Sequence, residues 1–538
     1  MKRRNGSEMF LRGVLMPATL LVAALLTGCA SLDPKTWVTD AATLAKQQTG
    51  HEPEWNAPWD DAPPAWSDES VLKLEQALVM ALRNNRELRG DLSQIGQANA
   101  DLVQAGLLSN PVINFMVMFP SGGGRSMLRS NALPMQQLQD LWLIPAKKEV
   151  ARAELQKAVV RAAQRAVELA AAVKRVYAEI QYAERSHDLV RANLELVSQS
   201  MDIIRARQSA GKASQAEFNL ARIRHQRLRS ELLSVEVGLI TSKQELVQLM
   251  GVASGSVAWK PQALDESAGL EWDPPAEPVA LELAADQRLD LKAAEWSVEA
   301  AERRVGLAHR EGWPEMSAGF SFERAAAGKS PGVRRRFLAA EGAARAADIA
   351  GDKVSASDEA RGALGRLATQ GPRREVKWVL GPMFEMELPI FDWNQAQSAR
   401  AAHELDQRIA EYEALLQTAI REVRRALARC SESRRQAQLF RNSILPEVLQ
   451  NLELARQAYI GGQTDLTIYL QAQEDAISTR SRLLEYVRDL SVYTADLERA
   501  VGGSLMRDIT TSQPVTAPKH AEASEPTGET LNPQESLP

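Results

Sequence analysis

Two stretches of this chain repeat one another over a distance that no short repeat unit explains. From Leu78 the sequence reads LVMALRNNRELR, and from Leu281 it reads LELAADQRLDLK. At a constant offset of 203 residues, Leu78 corresponds to Leu281, Ala81 to Ala284, and Glu87-Leu88-Arg89 to Asp290-Leu291-Lys292. Pro111 and Pro314 keep that offset at the head of two apolar runs, NPVINFMVMF and WPEMSAGFSF. Further along the offset becomes about 250: Val173-Lys174-Arg175 matches Val423-Arg424-Arg425, and Ala210-Gly211 faces Gly461-Gly462. A spacing above two hundred residues is far too long for a solenoid repeat. The chain reads as a duplicated half-protein, each half being helix, strands, long helix, turn, long helix.

The leader fixes where such a chain goes. Lys2, Arg3, Arg4 and Arg12 precede an apolar run from Val14 to Leu26. That run is short for a spanning helix, and its basic flank suits a secretory signal. It ends Leu26-Thr27-Gly28-Cys29, which resembles a bacterial lipobox, where the cysteine becomes the lipidated first residue of the mature protein. The plainer reading is an ordinary signal peptide with a chance cysteine. In lipoproteins of this type Ala30, rather than Asp, after the cysteine implies sorting to the outer membrane. The second cysteine, Cys430, lies in a helical stretch, so no intramolecular disulfide is expected. The formal charge of -5, with no basic domain, argues against nucleic acid as a partner.

Residues 30–68 carry Trp37, Trp55, Trp59 and Trp66 among prolines and aspartates, and read as an extended segment laid over the folded body. Residues 70–108 read as helix. In 112–119, Ile113, Phe115, Val117 and Phe119 alternate with Val112, Asn114, Met116 and Met118. A glycine turn (Gly122, Gly123, Gly124), a weaker strand near 135–144 and a helix of about fifty residues are expected next, the helix about 75 Å long. After Ala210-Gly211-Lys212 the helix resumes with heptad spacing at Phe218, Ala221, Leu228, Leu232, Val235, Leu239, Leu246 and Leu249, interrupted at His225 and Ser242. In the second half, Met316, Ala318, Phe320 and Phe322 alternate with Ser317, Gly319 and Ser321. Leu380, Phe384, Met386 and Leu388 alternate with Gly381, Met383, Glu385 and Glu387. A long helix over 395–459, kinked at Pro446, turns at Gly461-Gly462 and returns to about Val501.

Strands of this kind have the length and the alternation of tilted membrane strands. Four of them cannot close a barrel, and open edges are not tolerated in lipid. Either several copies share one barrel, or the strands are a soluble hairpin packed on helices.

At this point the chain resembles the TolC-like outer-membrane factor family of bacterial efflux channels, in particular its lipoprotein branch, over residues 70–503 apart from an insert. The most specific segments are LGPMFEMELPIFDWNQAQSARA at 380–401 and SILPEVLQNLELARQAYIGGQTDLTIYLQAQ at 443–473. The family's strand-to-helix junction stands here as Leu388-Pro389-Ile390-Phe391-Asp392-Trp393-Asn394, and its helical tip, an aromatic then glycine, as Tyr459 and Gly462. The resemblance implies an α+β membrane protein: a homotrimer with a twelve-stranded β-barrel, four strands per protomer, continuing into a long α-helical coiled-coil periplasmic tunnel. It implies a periplasmic adaptor and an inner-membrane pump as partners, outer-membrane lipid around the barrel, and a passive exit duct rather than an enzyme. The rival reading is a non-channel helical lipoprotein acting as an envelope scaffold.

The expected division is a leader (1–28), a lipidated extended segment (29–69), a first repeat (70–250), a linker (251–280), a second repeat (281–503) with an insert at 324–376, and a disordered tail (504–538). The family topology puts the insert on the cell surface. The tip turns would hold Gly211, Lys212, Gly462, Gln463 and Asp465. Ile468 and Gln471 stand where the best-known members carry aspartates, and are the candidate gate. Glu385 and Glu387, off the apolar strand face, would line the lumen; the plainer reading is solubility of a polar face. Nothing asks for a cofactor or a metal: the six histidines are scattered without ligand spacing. Gly328-Lys329-Ser330 lacks the first glycine and the setting of a phosphate loop, and Cys430 reads as a buried seam residue.

Overall fold

The computed structural model describes residues 32–55, 71–118, 129–252, 258–326 except 266 and 268, and 376–505, with scattered positions between 341 and 358. Cys29, Phe119, the glycine turn, most of the insert and the tail beyond residue 505 lie outside the described residues, while Ser504 and Leu505, expected to begin the disordered tail, are ordered, Leu505 being buried in a core.

Helices dominate. α1 is Lys35–Thr49, followed by the two-residue β1 (Val71–Leu72), α2 (Leu74–Asn84) and α3 (Arg86–Ala105). Strands β2 (Val112–Met118) and β3 (Arg129–Gln137) lead into α4 (Asp140–Ser209) and α5 (Gln215–Leu249). After β4 (Lys260–Pro261) the plan recurs: α6 (Glu277–Gln287), α7 (Leu289–Glu311), β5 (Met316–Ala326), β6 (Val376–Met386) and α8 (Gln395–Leu439). A π-turn at Phe440–Ile444 separates α8 from α9 (Leu445–Ile460), and α10 is Leu466–Val501.

Several expectations are corrected. The segment expected to be extended contains α1, whose Val38, Ala41, Ala45 and Thr49 form a buried 3-4 stripe packed on α4. The weak strand is Arg129–Gln137, not 135–144. Pro134 hid it, because proline in a strand interior argues against a strand. Here the β3–β5 ladder is registered on both sides of Pro134, and Gly319 admits the Pro134 carbonyl at a point where a Cβ would stand 2.2 Å away. The helix that follows has 70 residues rather than fifty, or about 105 Å. Helix α6 begins at Glu277, inside the expected linker. The insert is trimmed by strand residues through Ala326 and from Val376. The kink at Pro446 is taken up by the π-turn before it. Proline then sits in the first turn of α9, where its missing N–H costs nothing.

Both halves are closed by the same contacts. Asn85 breaks the path between α2 and α3, and its side-chain amide donates to the Leu249 carbonyl at 3.0 Å. Arg288, 203 residues on, breaks α6 from α7 with nearly the same backbone angles, and its Nη1 donates to the Ala500 carbonyl at 3.0 Å. Gly251 (φ +70°) and Gly502 (φ +98°) end the two return helices. A Cβ on Gly251 would stand 2.2 Å from the Asn84 carbonyl oxygen, and one on Gly502 would stand 2.8 Å from the Arg288 nitrogen. Arg288 is buried and pairs with Asp290 (2.5 Å) and Glu422 (2.9 Å).

The buried residues form three cores, the first two joined side by side where Lys174 meets Glu498 (2.5 Å). The first gathers α1, α2, α3, α4 and the fully buried Trp259. Trp55 Nε1 donates to the Leu82 carbonyl (2.9 Å), and Tyr177 Oη donates to the Leu72 carbonyl (2.7 Å) while accepting from the Gln262 amide (3.0 Å). The second lies between α6, α8 and α10 around Val423, Cys430, Val487 and Leu497. The third is small and sits at the turns: Ile204, Ala221, Tyr459, Leu466 and Tyr469. Of the heptad positions in α5, Ala221, Leu228 and Leu246 are buried, and a second stripe (Leu220, Ile223, Leu233, Val237, Ile240) is exposed on this single chain.

Candidate functional site

The site has two ends. One is the four-stranded antiparallel sheet, in the order β2-β3-β5-β6, which leaves β2 and β6 as open edges. In antiparallel pairs, directly opposed residues share a face. The register sets Ile113 opposite Pro134, Phe115 opposite Ala132, Ala132 opposite Phe322, Phe322 opposite Leu380, Phe320 opposite Pro382 and Ala318 opposite Phe384. One face is therefore largely apolar across all four strands, with Gln136 near one end and, by register, Ser130 and Arg324 near the other as its polar positions. The other face mixes Asn114, Asn131, Ser317, Ser321, Glu323 and Glu385 with methionines. Ser321 Oγ lies 3.4 Å from Asn131 Oδ1 across that face. Both faces have open positions on this chain: Phe320 is 56% and Phe384 75% exposed on the apolar face, and Met116 51% and Val379 53% on the mixed face. Glu385 lies opposite Ser317, while Glu387 lies just past the end of β6, where its amide continues the ladder to the Glu315 carbonyl at 2.9 Å.

The other end is the pair of helical turns, built alike. After α4, the Lys212 amide returns to the Arg207 carbonyl (2.8 Å), and Gly211 takes φ +71°. After α9, the Gln463 amide returns to the Ala458 carbonyl (2.8 Å), and Gly462 takes φ +74°. This six-to-one bond with a left-handed glycine is the Schellman stop, and glycine adopts that angle at no steric cost. The next helices differ at their starts. Ser214 caps α5 through a reciprocal box with Glu217, whereas Asp465 precedes α10 without a side-chain cap. Ile468 holds the place of Glu217, is 54% exposed, and lies one turn from the exposed Gln471. Gln471 Nε2 donates to Asp475 Oδ1 at 3.0 Å.

The turns, some 250 residues apart in sequence, are fastened together mainly by residues that sequence reading did not single out. Arg207 Nη1 donates to the Tyr459 carbonyl (2.8 Å), and its guanidinium lies 4.5 Å over the Tyr459 ring. Tyr459 stacks on Tyr469 at 5.5 Å. The fully buried Gln473 donates from Nε2 to both Tyr469 Oη and Ser200 Oγ, each at 2.8 Å. Arg224 donates to the Leu470 carbonyl (2.7 Å) and pairs with Glu474 (2.9 Å). Burial raises the Tyr459 phenol above its ordinary range, so it stays neutral, and most of this network is uncharged. Only Tyr459 carried a sequence signal, as the aromatic before the glycines; pairing across 250 residues has no local signature.

Between the ends, a cleft of about 770 Å³ lies between α3, α4, α7 and α8. Its Arg165 lies among the carboxylates of Glu87 (2.6 Å), Glu168 (3.3 Å) and Asp91 (3.5 Å), which leaves it no unpaired charge to offer an anionic ligand. No cluster of metal-ligating side chains occurs among the described residues. No described helix is long and apolar enough to cross a membrane, which says nothing about strands. Cys430 is buried 3.7 Å from Thr494 Oγ1, and burial raises its thiol pKa. It is therefore expected to resist maleimide in the folded protein and to label fully only in denaturant; rapid labelling of folded protein would contradict this packing.

The family model described as outer membrane efflux protein matches residues 77–252 and 280–503, on both sides of the β4 segment. The chain belongs to that family. It is thus an outer-membrane efflux protein of bacterial type. It is similar to the outer membrane protein OprJ of Pseudomonas aeruginosa, with 27% identity over 510 residues, covering 90% of this chain and 95% of OprJ. Its fold is similar to that of the open-state MtrE outer membrane channel of Neisseria gonorrhoeae, with a TM-score of 0.61, 17% identity and coverage of 85% and 98%. It is also similar to the outer membrane protein VceC of Vibrio cholerae, with a TM-score of 0.60, 16% identity and coverage of 80% and 96%.

Proposed function

We propose that this chain is the passive exit duct of a tripartite efflux or secretion system. It would work as a homotrimer, docked at its helical tip to a periplasmic adaptor and fed by an inner-membrane pump. The observation that carries this is the sheet: four strands with one apolar face, a mixed opposite face and two open edges, leading directly into helices of up to 70 residues. In lipid the edges must be paired by other copies. The exposed stripe of α5 gives those copies an apolar seam in the helical region. The repeated junction contacts support a duplicated origin for the two halves. The envelope-scaffold reading leaves the sheet's apolar face without a use. A heat-modifiable oligomer on a gel, together with single-channel conductance in planar bilayers, tests the proposal; a monomer without conductance would reject it.

On this reading Glu385 and Glu387 line the lumen, and the insert faces the cell exterior. Cys29 carries the lipid. Cys29→Ser is expected to leave an unprocessed or mislocalised precursor that incorporates no labelled fatty acid; normal acylation of that variant would end the lipobox reading.

The closed tip, on this reading, rests on packing and on largely neutral hydrogen bonds, since Ile468 and Gln471 stand where charge would otherwise gather. Ile468→Ser is expected to raise closed-state conductance, and divalent cations are expected to change it little. Strong divalent block surviving in Asp465→Asn would move the gate charge elsewhere, with Asp475 the nearest acid bonded to Gln471.

A further inference from the structure

Six of the chain's fourteen methionines lie in the four strands of the sheet: Met116, Met118, Met135, Met316, Met383 and Met386. Methionine is ordinarily a flexible filler of buried gaps, yet Met116 and Met386 are exposed. By register, Met116, Met135 and Met383 fall on the mixed face. Two of these share a row. Met135 of β3 and Met383 of β6 both stand opposite Gly319 of β5, one on each side. Adjacent strands lie about 4.8 Å apart, so the two α-carbons are about 9.6 Å apart, with no side chain between them. Met135 already leans into that gap. Its Cγ lies 3.0 Å from where a Cβ on Gly319 would stand, and the residue is buried. Met383, half-buried, borders the gap from the other side. Three rotatable bonds let each thioether swing over the glycine.

We propose that Met135 and Met383, facing each other across Gly319, form a two-thioether site for a soft monovalent metal cation of the Cu(I) or Ag(I) class. Its place on the lumen wall rests on the channel reading of the sheet. Thioether sulfur is polarisable and suits soft metals, whereas Mg, Ca and Mn ions suit carboxylate, carbonyl and water. The described strands contain no histidine or cysteine, and the described His, Cys, Asp and Glu side chains gather into no metal cluster. The thioether pair is a ligand set of a different kind. It carries no charge of its own. The exposed Glu385 lies on the same face two residues along β6, about 6.8 Å away at the strand rise, and supplies the balancing carboxylate. Two neutral ligands bind an ion firmly enough to select it and loosely enough to release it, as a conducting wall requires. A merely apolar lining is the competing role, and leucine would serve it equally well.

The test measures silver retained by the folded oligomer of the full chain, by equilibrium dialysis in chloride-free buffer and elemental analysis. The wild type is compared with Met135→Leu combined with Met383→Leu, with Met116→Leu, and with Glu385→Gln, each checked for folded oligomer. Leucine conserves volume while removing the sulfur. The buried Cys430 thiol is common to every variant, so the silver lost on substitution is the measure. The double variant is expected to lose about one silver ion per protomer, Met116→Leu none, and Glu385→Gln to hold the same ion more weakly. In planar bilayers, added silver is expected to lower single-channel conductance of the wild type but not of the double variant. If the double variant retains as much silver as the wild type, the site is overturned, and wild-type conductance then leaves the channel reading standing. If silver binding depends on the pair but conductance ignores silver, the placement in the lumen is overturned. If no variant conducts, the channel reading falls, while the silver count still decides the pair.

Discussion

Phe320→Arg is expected to lower the stability of the membrane-inserted protein by about 2–4 kcal/mol, the cost of a basic side chain on a lipid face near the midplane. Phe320 is the fifth of eleven residues in β5 and shares its face with Pro382, Phe322 and Leu380. Phe384→Arg lies two residues from the end of β6, nearer a boundary, and should cost less. Ser317→Arg and Gly381→Arg place the same charge on the mixed face and should be nearly neutral; a Cβ at Gly381 meets nothing within 4 Å. Urea titration of the folded, heat-modifiable species in vesicles reads all four. Equal losses on both faces would favour a soluble hairpin and remove the basis for a barrel.

Gly502→Ala should be equally damaging for a different reason. The position needs φ +98°, and the added carbon would stand 2.8–2.9 Å from the backbone of Gln287 and Arg288. Left-handed strain of about 1–2 kcal/mol combines with a displacement of the helix break that holds buried Arg288 against Ala500, Asp290 and Glu422. A total of about 2–4 kcal/mol is expected, with Gly251→Ala matching it in the first half. Gly462→Ala carries the strain without the clash, because nothing lies within 4 Å of it, so it should cost only the first part. Thermal unfolding of the three variants, followed by circular dichroism, would refute the scheme if Gly462→Ala proved the worst.

How much of this was legible in the sequence depended on whether the signal was local. The constant offsets announced two related halves, and alternation found β2, β5 and β6 because each carries large apolar residues at alternate positions, among them Phe115, Phe320, Phe322 and Phe384. Gly211 and the Gly461-Gly462 pair marked the tip turns, since a left-handed stop leaves few alternatives. Strand β3 escaped because a proline sits at its centre and its partner supplies the missing space through Gly319. Helix α1 escaped because prolines and tryptophans on either side suggested an extended path, while its alanine stripe is informative only once α4 is there to receive it. The sheet's two faces were read from alternation, but their continuity across four strands came from register, which no single strand contains. The fastening of the tip by Arg207, Tyr469 and Gln473 was beyond reach, since each residue is ordinary within its own helix.

The two open edges of the sheet bear on how the protein gets into place. A lone protomer brought to lipid would present unpaired backbone along β2 and along β6, which hydrocarbon does not tolerate. On the proposed shared-barrel reading, encounter with other copies precedes or accompanies insertion, and the rate of insertion should climb more steeply than linearly with protein concentration. The helical cores need no strand to bury their interiors. A waiting population can accordingly be folded along most of its length while its future membrane segment is still in search of a partner. On that reading the supply of copies, rather than the folding of any one of them, sets the pace at which finished channels accumulate.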